Sequence, residues 1–299
     1  LQVNFSGVTL RQLIAQNKIA EAKKYVLSYF AKVNNPVGIL LWVPSEKKII
    51  HFTFSEVKLL YLNVKYIKND KPVSIWNWFC NTNCEVYMQG MQIDKPMIYE
   101  KCEQKYVNRF LGFKHNERKP FSNFPEEIQN GVQKVWNHIE NVWCKNNPTS
   151  FKYIQNWLSH AITGRKMKTC LYMRTPQGVG KSIITEFIQM KVMGPHLVYI
   201  TQNPKCIAGG FNSQLEGAII LVLEELPSMS KNHWLCLGNW VKHYVTSPTM
   251  EIEAKGKDAY VCDNFMSVIL FSNNNAIKVD SDDRRFVMLD VSYEKIGDT

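Results

Sequence analysis

The stretch from Thr175 to Ser182 carries the residue types best suited to holding a phosphate. It follows the apolar run Cys170–Met173 and precedes the helical pattern Ile183–Ile188. A strand, a glycine turn and a helix start aim backbone N–H groups at a phosphate, and the glycines let the chain come close. Lys181 adds a mobile positive charge for the β and γ oxygens. Ser182 offers a hydroxyl to Mg2+, a hard cation that takes oxygen ligands. The usual pattern has Gly where Thr175 stands. Pro176, Gln177, Gly178, Val179, Gly180, Lys181, Ser182 and Ile183 form the expected nucleotide-binding set.

Three further polar groups stand at the ends of apolar runs. Ala218–Leu223 reads as a central strand buried on both faces, and it ends in Glu224 and Glu225. At the C-terminal edge of a parallel sheet such carboxylates lie beside a neighbouring phosphate loop. Glu224 is the expected Mg2+ ligand, directly or through water, and Glu225 the group that orients or deprotonates an attacking water. Ser267–Ser272 is a second buried run, ending in Asn273, an amide suited to a γ-phosphate. Asp282, Asp283, Arg284 and Arg285 then precede the apolar strand Phe286–Val291. Either arginine is a candidate finger for the nucleotide of an adjacent subunit; the plain alternative is an Asp–Arg surface pair. Between the acidic pair and the Asn strand, Met250–Val261 alternates on both sides of Lys255-Gly256-Lys257 and predicts a β-hairpin with a basic tip. Lys255 and Lys257 suit phosphate contacts on a nucleic-acid strand.

The elements that must position these groups fall into three segments. Residues 1–104 read as a small α+β domain. In it Thr9 caps a helix with Leu10, Leu13, Ile14, Ala20, Leu27 and Phe30 on its apolar face, and strands follow around Ile39–Val43, Ile49–Phe54, Val64–Ile67 and Val86–Met88. Trp76, Trp78 and Phe79 are core groups or a stacking surface for bases. Residues 105–165 turn helical: Ile128, Val132, Val135, Ile139 and Val142 make one apolar face, and a second helix runs from Phe151 to a stop at Gly164. Arg165, Lys166 and Lys168 follow as nucleic-acid contacts or as a structural helix end. From 166 to 299 strands at Cys170–Arg174, Val198–Thr201, Ala218–Leu223, Val268–Ser272 and Phe286–Val291 alternate with helices around 180–191, 205–215 and 231–246. Such alternation implies a parallel sheet covered by helices.

Composition sets the outer limits. The 299 residues are 45% hydrophobic, enough for more than one core, and no apolar run reaches membrane-spanning length. Net charge is +10, which favours a polyanionic partner and above all nucleic acid. The eight cysteines are scattered, several within apolar runs, as in a reduced intracellular protein. The spacing of Cys80, Cys84, Cys102 and His115 is poor for zinc. The chain opens on Leu1 and reads as a segment of something longer.

The order of phosphate loop, Glu-Glu strand, basic hairpin, Ser-Asn strand and Arg resembles the superfamily 3 helicases of viruses and plasmids, in the poxvirus-type primase-helicase branch. The resemblance covers about 105–299. It implies an AAA+-like P-loop ATPase with a central parallel sheet, preceded by a helical subdomain and a small α+β domain. It further implies ATP and Mg2+ as cofactors, Lys181 and Ser182 on phosphates and metal, and Glu224 and Glu225 on metal and water. Asn273 becomes a sensor, Arg284 or Arg285 a finger, and Lys255 or Lys257 a DNA contact. The implied activity is ATP-dependent unwinding by a homo-oligomer, a hexamer, acting on single-stranded DNA rather than RNA, with a primase-polymerase or initiator module upstream. A binding and assembly module, or an NTPase remodelling RNA or protein, are the rival readings.

Overall fold

The computed structural model describes residues 4–292 except 35, 47, 61–63, 115–118, 175–177, 208–209, 225–229, 256–258, 273–278 and 280–281. The chain divides into two compact units, Leu1–Leu111 and Gly112–Thr299. Each is α/β: the first is built on a mixed sheet, the second on a parallel one.

In the first unit the chain runs α1 (Gly7–Ala15), α2 (Ile19–Tyr29), β1 (Phe30–Asn34), β2 (Gly38–Val43), β3 (Lys48–Phe52) and α3 (Phe54–Leu60). It continues through β4 (Lys65–Lys68), β5 (Lys71–Ser74), α4 (Ile75–Asn81), β6 (Val86–Gly90), β7 (Ile98–Lys101) and β8 (Gln104–Asn108). Six strands form one sheet in the order β3-β2-β1-β6-β8-β7, while β4 and β5 pair as a separate hairpin. Two local expectations need correction. Ser6, not Thr9, caps the first helix, its hydroxyl accepting from the Thr9 amide at 3.3 Å. The single helix through Phe30 is in fact α1 and α2, because Asn17 turns the chain with φ of 57° and ends the first of them. Trp76 and Phe79 are fully buried with Phe30 in the core, so they are not a stacking surface.

The second unit begins with α5 (Glu126–His138), continued by a π-helical turn at Ile139–Trp143, and α6 (Pro148–Ala161). Asn147 caps α6, accepting from the Ser150 amide at 2.9 Å, and Pro148 supplies the first turn. Gly164, with φ of 84°, follows the helix end. The expected apolar face of α5 is only half-buried, with Ile128 exposed; full burial starts at Ile139. Then come β9 (Cys170–Arg174), α7 (Lys181–Phe187) with a π-helical turn at Ile188–Met193, β10 (Val198–Thr201) and β11 (Ile220–Leu223). After these lie α8 (Lys231–Thr246), β12 (Thr249–Ile252), β13 (Tyr260–Asp263), β14 (Ser267–Ser272) and β15 (Phe286–Asp290).

Five strands form an all-parallel sheet in the order β10-β11-β14-β9-β15. Every residue of β11 and β14 is buried, as strands covered on both faces must be. Leu237, Val241, Tyr244 and Val245 of α8 pack on this sheet with Leu221, Leu223, Val268 and Leu270. The helix expected at 205–215 does not form; the described residues there make two short 3-10 turns, Pro204–Cys206 and Ser213–Leu215. Gly209 and Gly210 interrupt the pattern, and Gly210 takes φ of 138°, which no helix allows. The hairpin of β12 and β13 forms as expected, with Ile252 opposite Tyr260.

Among the described residues no helix is long and apolar enough to cross a membrane, and no group of three His, Cys, Asp or Glu side chains gathers as a metal cluster. The eight cysteines form no disulfide.

Candidate functional site

Strand order brings the polar residues together. β9 leads toward α7, β11 leads into Glu224, and β14 lies between these two strands, so all three end on one edge of the sheet. Gly178 and Gly180 have φ of 79° and 72°, values that a residue with a Cβ adopts only with strain. A Cβ on Gly180 would also sit 3.0 Å from the His138 ring, whose Nε2 donates to the Gly180 carbonyl at 3.1 Å. The turn into α7 is thus braced from the end of α5. Lys181 follows at once and is 5% exposed.

The Ser182 hydroxyl donates to Glu224 Oε2 at 3.0 Å, and the Thr185 hydroxyl shares its one proton between Glu224 Oε1 at 3.0 Å and the Ser182 carbonyl at 2.9 Å. One carboxylate is therefore met on both of its oxygens by hydroxyls three residues apart on α7. Glu224 is 8% exposed, and its own amide donates to the Thr201 carbonyl at 3.0 Å, which pins the residue to the end of the β10–β11 ladder. A carboxylate taken out of water needs such donors, or a cation, to offset its lost hydration. The donor set facing the loop is all oxygen, the Glu224 carboxylate and the Ser182 hydroxyl. That chemistry fits Mg2+ and disfavours the softer metals that seek sulfur or imidazole.

The remaining expected residues divide clearly. Arg285 is committed to Asp283: its backbone amide, Nε and Nη2 donate to that carboxylate at 3.1, 2.8 and 3.0 Å. Lys242 of α8 lies on the same carboxylate at 2.9 Å. Those hydrogen bonds, from Arg285 first and then Lys242, hold the Asp283 carboxyl well below the usual range. Arg284 is exposed, as are Lys255 just past β12 and Ile183 in α7. Val179 is buried. Pro176, Gln177, Glu225, Lys257 and Asn273 lie outside the described residues.

Sequence reasoning missed Thr185 and His138. Thr185 stands three residues after Ser182 and so shares its face of the helix, a spacing visible in the sequence. His138 is 42 positions from Gly180, and no local pattern marks it. Arg174 was likewise unremarked; at the end of β9 it forms an ion pair with Asp290, its register partner on β15, at 2.6 Å.

A family described as being of unknown function (DUF5906) matches residues 173–285, which span the loop, Glu224, the hairpin and both arginines. The DNA primase-polymerase of Nitratiruptor phage NrS-1 is 21% identical over 212 residues, covering 70% of this chain and 28% of that protein. Solved apo structures of the NrS-1 C-terminal region align over 90% of this chain. One, in its A form, has a TM-score of 0.66 at 17% identity and is covered to 60%; another, of residues 305–718, has a TM-score of 0.65 at 17% and is covered to 61%. The chain shares the fold of the NrS-1 C-terminal region. It spans less than a third of the curated relative and about three-fifths of the solved region.

These likenesses correct the superfamily 3 assignment. The curated protein that the chain resembles is a DNA primase-polymerase, and the matching family carries no helicase description. The reading as an ATP-hydrolysing helicase or translocase, and the descriptions that came with it, are withdrawn. The physical reason is general: a loop, a carboxylate, an amide and an arginine at strand ends build a phosphate site, and such sites serve many activities on one architecture.

Proposed function

We infer that this chain is part of a DNA-replicating enzyme of the primase-polymerase kind, and that its second unit binds a nucleoside triphosphate with Mg2+. The enzyme class is supported by the 21% identity across 70% of the chain, together with the shared fold. The binding site is supported above all by one observation, the joining of Ser182 and Glu224 at 3.0 Å beside a glycine turn with two positive φ angles.

Each residue then has a task. The backbone around Gly178 and Gly180 approaches the phosphates, and Lys181 neutralises the β and γ oxygens. Ser182 and Glu224 hold the Mg2+, which when bound offsets phosphate charge and fixes the triphosphate's orientation. The site lies within residues 166–299, and the helical segment before it serves as support through His138. Glu225 and Asn273 are assigned to the terminal phosphate from chain position alone, as direct continuations of Glu224 and Ser272. Since Asp283 occupies Arg285, the exposed Arg284 is the arginine we assign to the phosphates of a second copy of the chain. Lys255 and Lys257, which fall between β12 and β13 in sequence, are assigned to DNA, in keeping with the net charge of +10.

Titration with a fluorescent ATP analogue, in Mg2+ and in EDTA, tests the site. Lys181→Ala removes a charged contact of about 1.5–3 kcal/mol, a loss of about tenfold or more in affinity. A wild-type protein that binds no nucleoside triphosphate in Mg2+ would overturn the reading. Nucleotide incorporation on primed DNA by the whole protein checks the enzyme class separately.

A further inference from the structure

The positive charge is not evenly spread. Residues 1–111 hold fifteen Lys and Arg against eight Asp and Glu, a net +7 of the chain's +10. Part of that excess is concentrated on the β4–β5 hairpin, which carries exposed Lys65, Lys68 and Lys71 within seven residues.

The hairpin is a held structure. Asn69 and Asp70 have φ of 50° and 57°, the paired positive values of the tight two-residue turn that matches strand twist. Tyr66 and Val73, directly opposite each other, turn inward to the core of the first unit, and the Ile75 amide donates to the Val64 carbonyl at 3.1 Å at its base. Lys23 of α2 reaches the same side, its Nζ 5.1 Å from the Tyr66 ring centre and 5.0 Å from that of Trp78. A lone two-stranded hairpin is marginal in water, so this anchoring is what presents the tip in one geometry.

Its register places Lys68 directly opposite Lys71. Like charges in that position destabilise a hairpin. Among the described residues no carboxylate lies within ion-pair distance of Lys65, Lys68 or Lys71. On the face away from Tyr66, Ile67 is 66% exposed next to Lys65, with exposed Pro72 as its partner, while Lys68 and Lys71 stand at the tip on the other face. Three ammonium groups, two at the tip and one beside an exposed apolar side chain, outnumber the single Asp70 carboxylate of the turn on a fixed projection. That pattern matches a polymer with regularly spaced anions and apolar faces between them.

We propose that the β4–β5 hairpin grips the backbone of single-stranded DNA, with Lys65, Lys68 and Lys71 on phosphates and Ile67 against a sugar or base. The assignment rests on the DNA half of the proposed function and is independent of the triphosphate site. It is tested by anisotropy of a labelled single-stranded oligonucleotide over a series of salt concentrations. Each lysine on a single-strand phosphate contributes about 0.7 to the slope of log affinity against log salt, so replacing all three by Ala lowers the slope by about 2. Affinity at low salt falls by about tenfold or more in the same variant. Lys71→Glu separates folding from binding: it sets a carboxylate opposite Lys68, so the hairpin keeps or gains stability while DNA affinity drops. Lys68→Arg with Lys71→Arg restores binding. If the triple variant binds DNA with the wild-type affinity and slope, the hairpin assignment falls and the DNA partner stands. If the wild-type protein binds the ATP analogue but no DNA, or binds anionic vesicles in place of DNA, the DNA half of the function falls and the hairpin assignment with it.

Discussion

Thr185 and Glu224 share a buried hydrogen bond, the hydroxyl donating to Oε1 at 3.0 Å, while Ser182 serves the other oxygen. The two hydroxyls do different work. Ser182 stands at the front of the helix, where a metal and phosphate are expected; Thr185 lies behind it, 1% exposed, and fixes the carboxylate's rotation. Removing one partner of a buried polar pair costs about 1–3 kcal/mol, and more when the group left behind is charged. Thr185→Val keeps the side-chain shape and removes the donor. The expected result is a drop of that size in unfolding free energy and a higher Mg2+ requirement for nucleotide binding, with binding in EDTA unchanged. Thr185→Ser should restore both. An unaltered Mg2+ titration in the Val variant would make Thr185 a packing residue only.

Asp283 gives a prediction with a definite direction in pH. Its folded pKa is depressed by the Arg285 hydrogen bonds and by Lys242, and its side chain is only 5% exposed. A carboxyl depressed in this way contributes stability that is complete above the unfolded Asp value of about 3.9. That contribution is lost as pH falls from there through the folded value. Asp283→Asn should therefore cost about 1–3 kcal/mol at neutral pH. The gap to wild type should close on acidification below about pH 4. Denaturant unfolding at pH 7 and at pH 3 measures both; a gap of equal size at the two pH values would contradict it.

Lys166 gives a dependence of the same sign in a more alkaline window. Burial pushes its ammonium down to about 7, with Lys168 adding to the effect, and Nζ donates to the Tyr244 carbonyl at 2.6 Å. Between that value and the unfolded Lys value of about 10.4, the unfolded chain holds a proton that the folded one has released, so stability rises with pH across this window. Below it both states are protonated and the cost of burying the charge is present in full. Lys166→Met should flatten the rise and stabilise the protein at pH 6. The Tyr244 carbonyl keeps its other donor, Asn264 Nδ2 at 2.9 Å. Parallel stability curves for the two proteins from pH 6 to 9 would show that the ammonium is solvated.

The parallel sheet was readable because its central strands are nearly continuous apolar runs, and Cys170–Arg174 and Val198–Thr201 fall where the pattern places them. The mixed sheet of the first unit was read only in part. β1, β5, β7 and β8 are four or five residues long, and β1 and β8 owe their place to pairing across the chain with β6. Short-range pattern carries no signal of such partners. At the site, the glycine turn before a helix singled out Ser182 and the end of an apolar run singled out Glu224, and a hydrogen bond joins the two side chains. His138 was not, since its bond to Gly180 depends on where α5 comes to rest. The likeness to a primase-polymerase was the least legible part. Motif order describes how a phosphate is held, and the helicase reading took it to describe what is done with the phosphate.

β9 precedes every other strand of the parallel sheet in sequence, yet both strands that flank it come from the far end of the chain. A nascent polypeptide that has reached Glu224 thus possesses the loop and the carboxylate but has no wall to hold them in alignment. Only when β14 slots in between does the pair acquire its spacing, so contacts of long sequence separation gate its assembly and slow it. Shortened chains ending before Ser267 would carry every residue of the Ser182–Glu224–Thr185 trio and still be unable to register them.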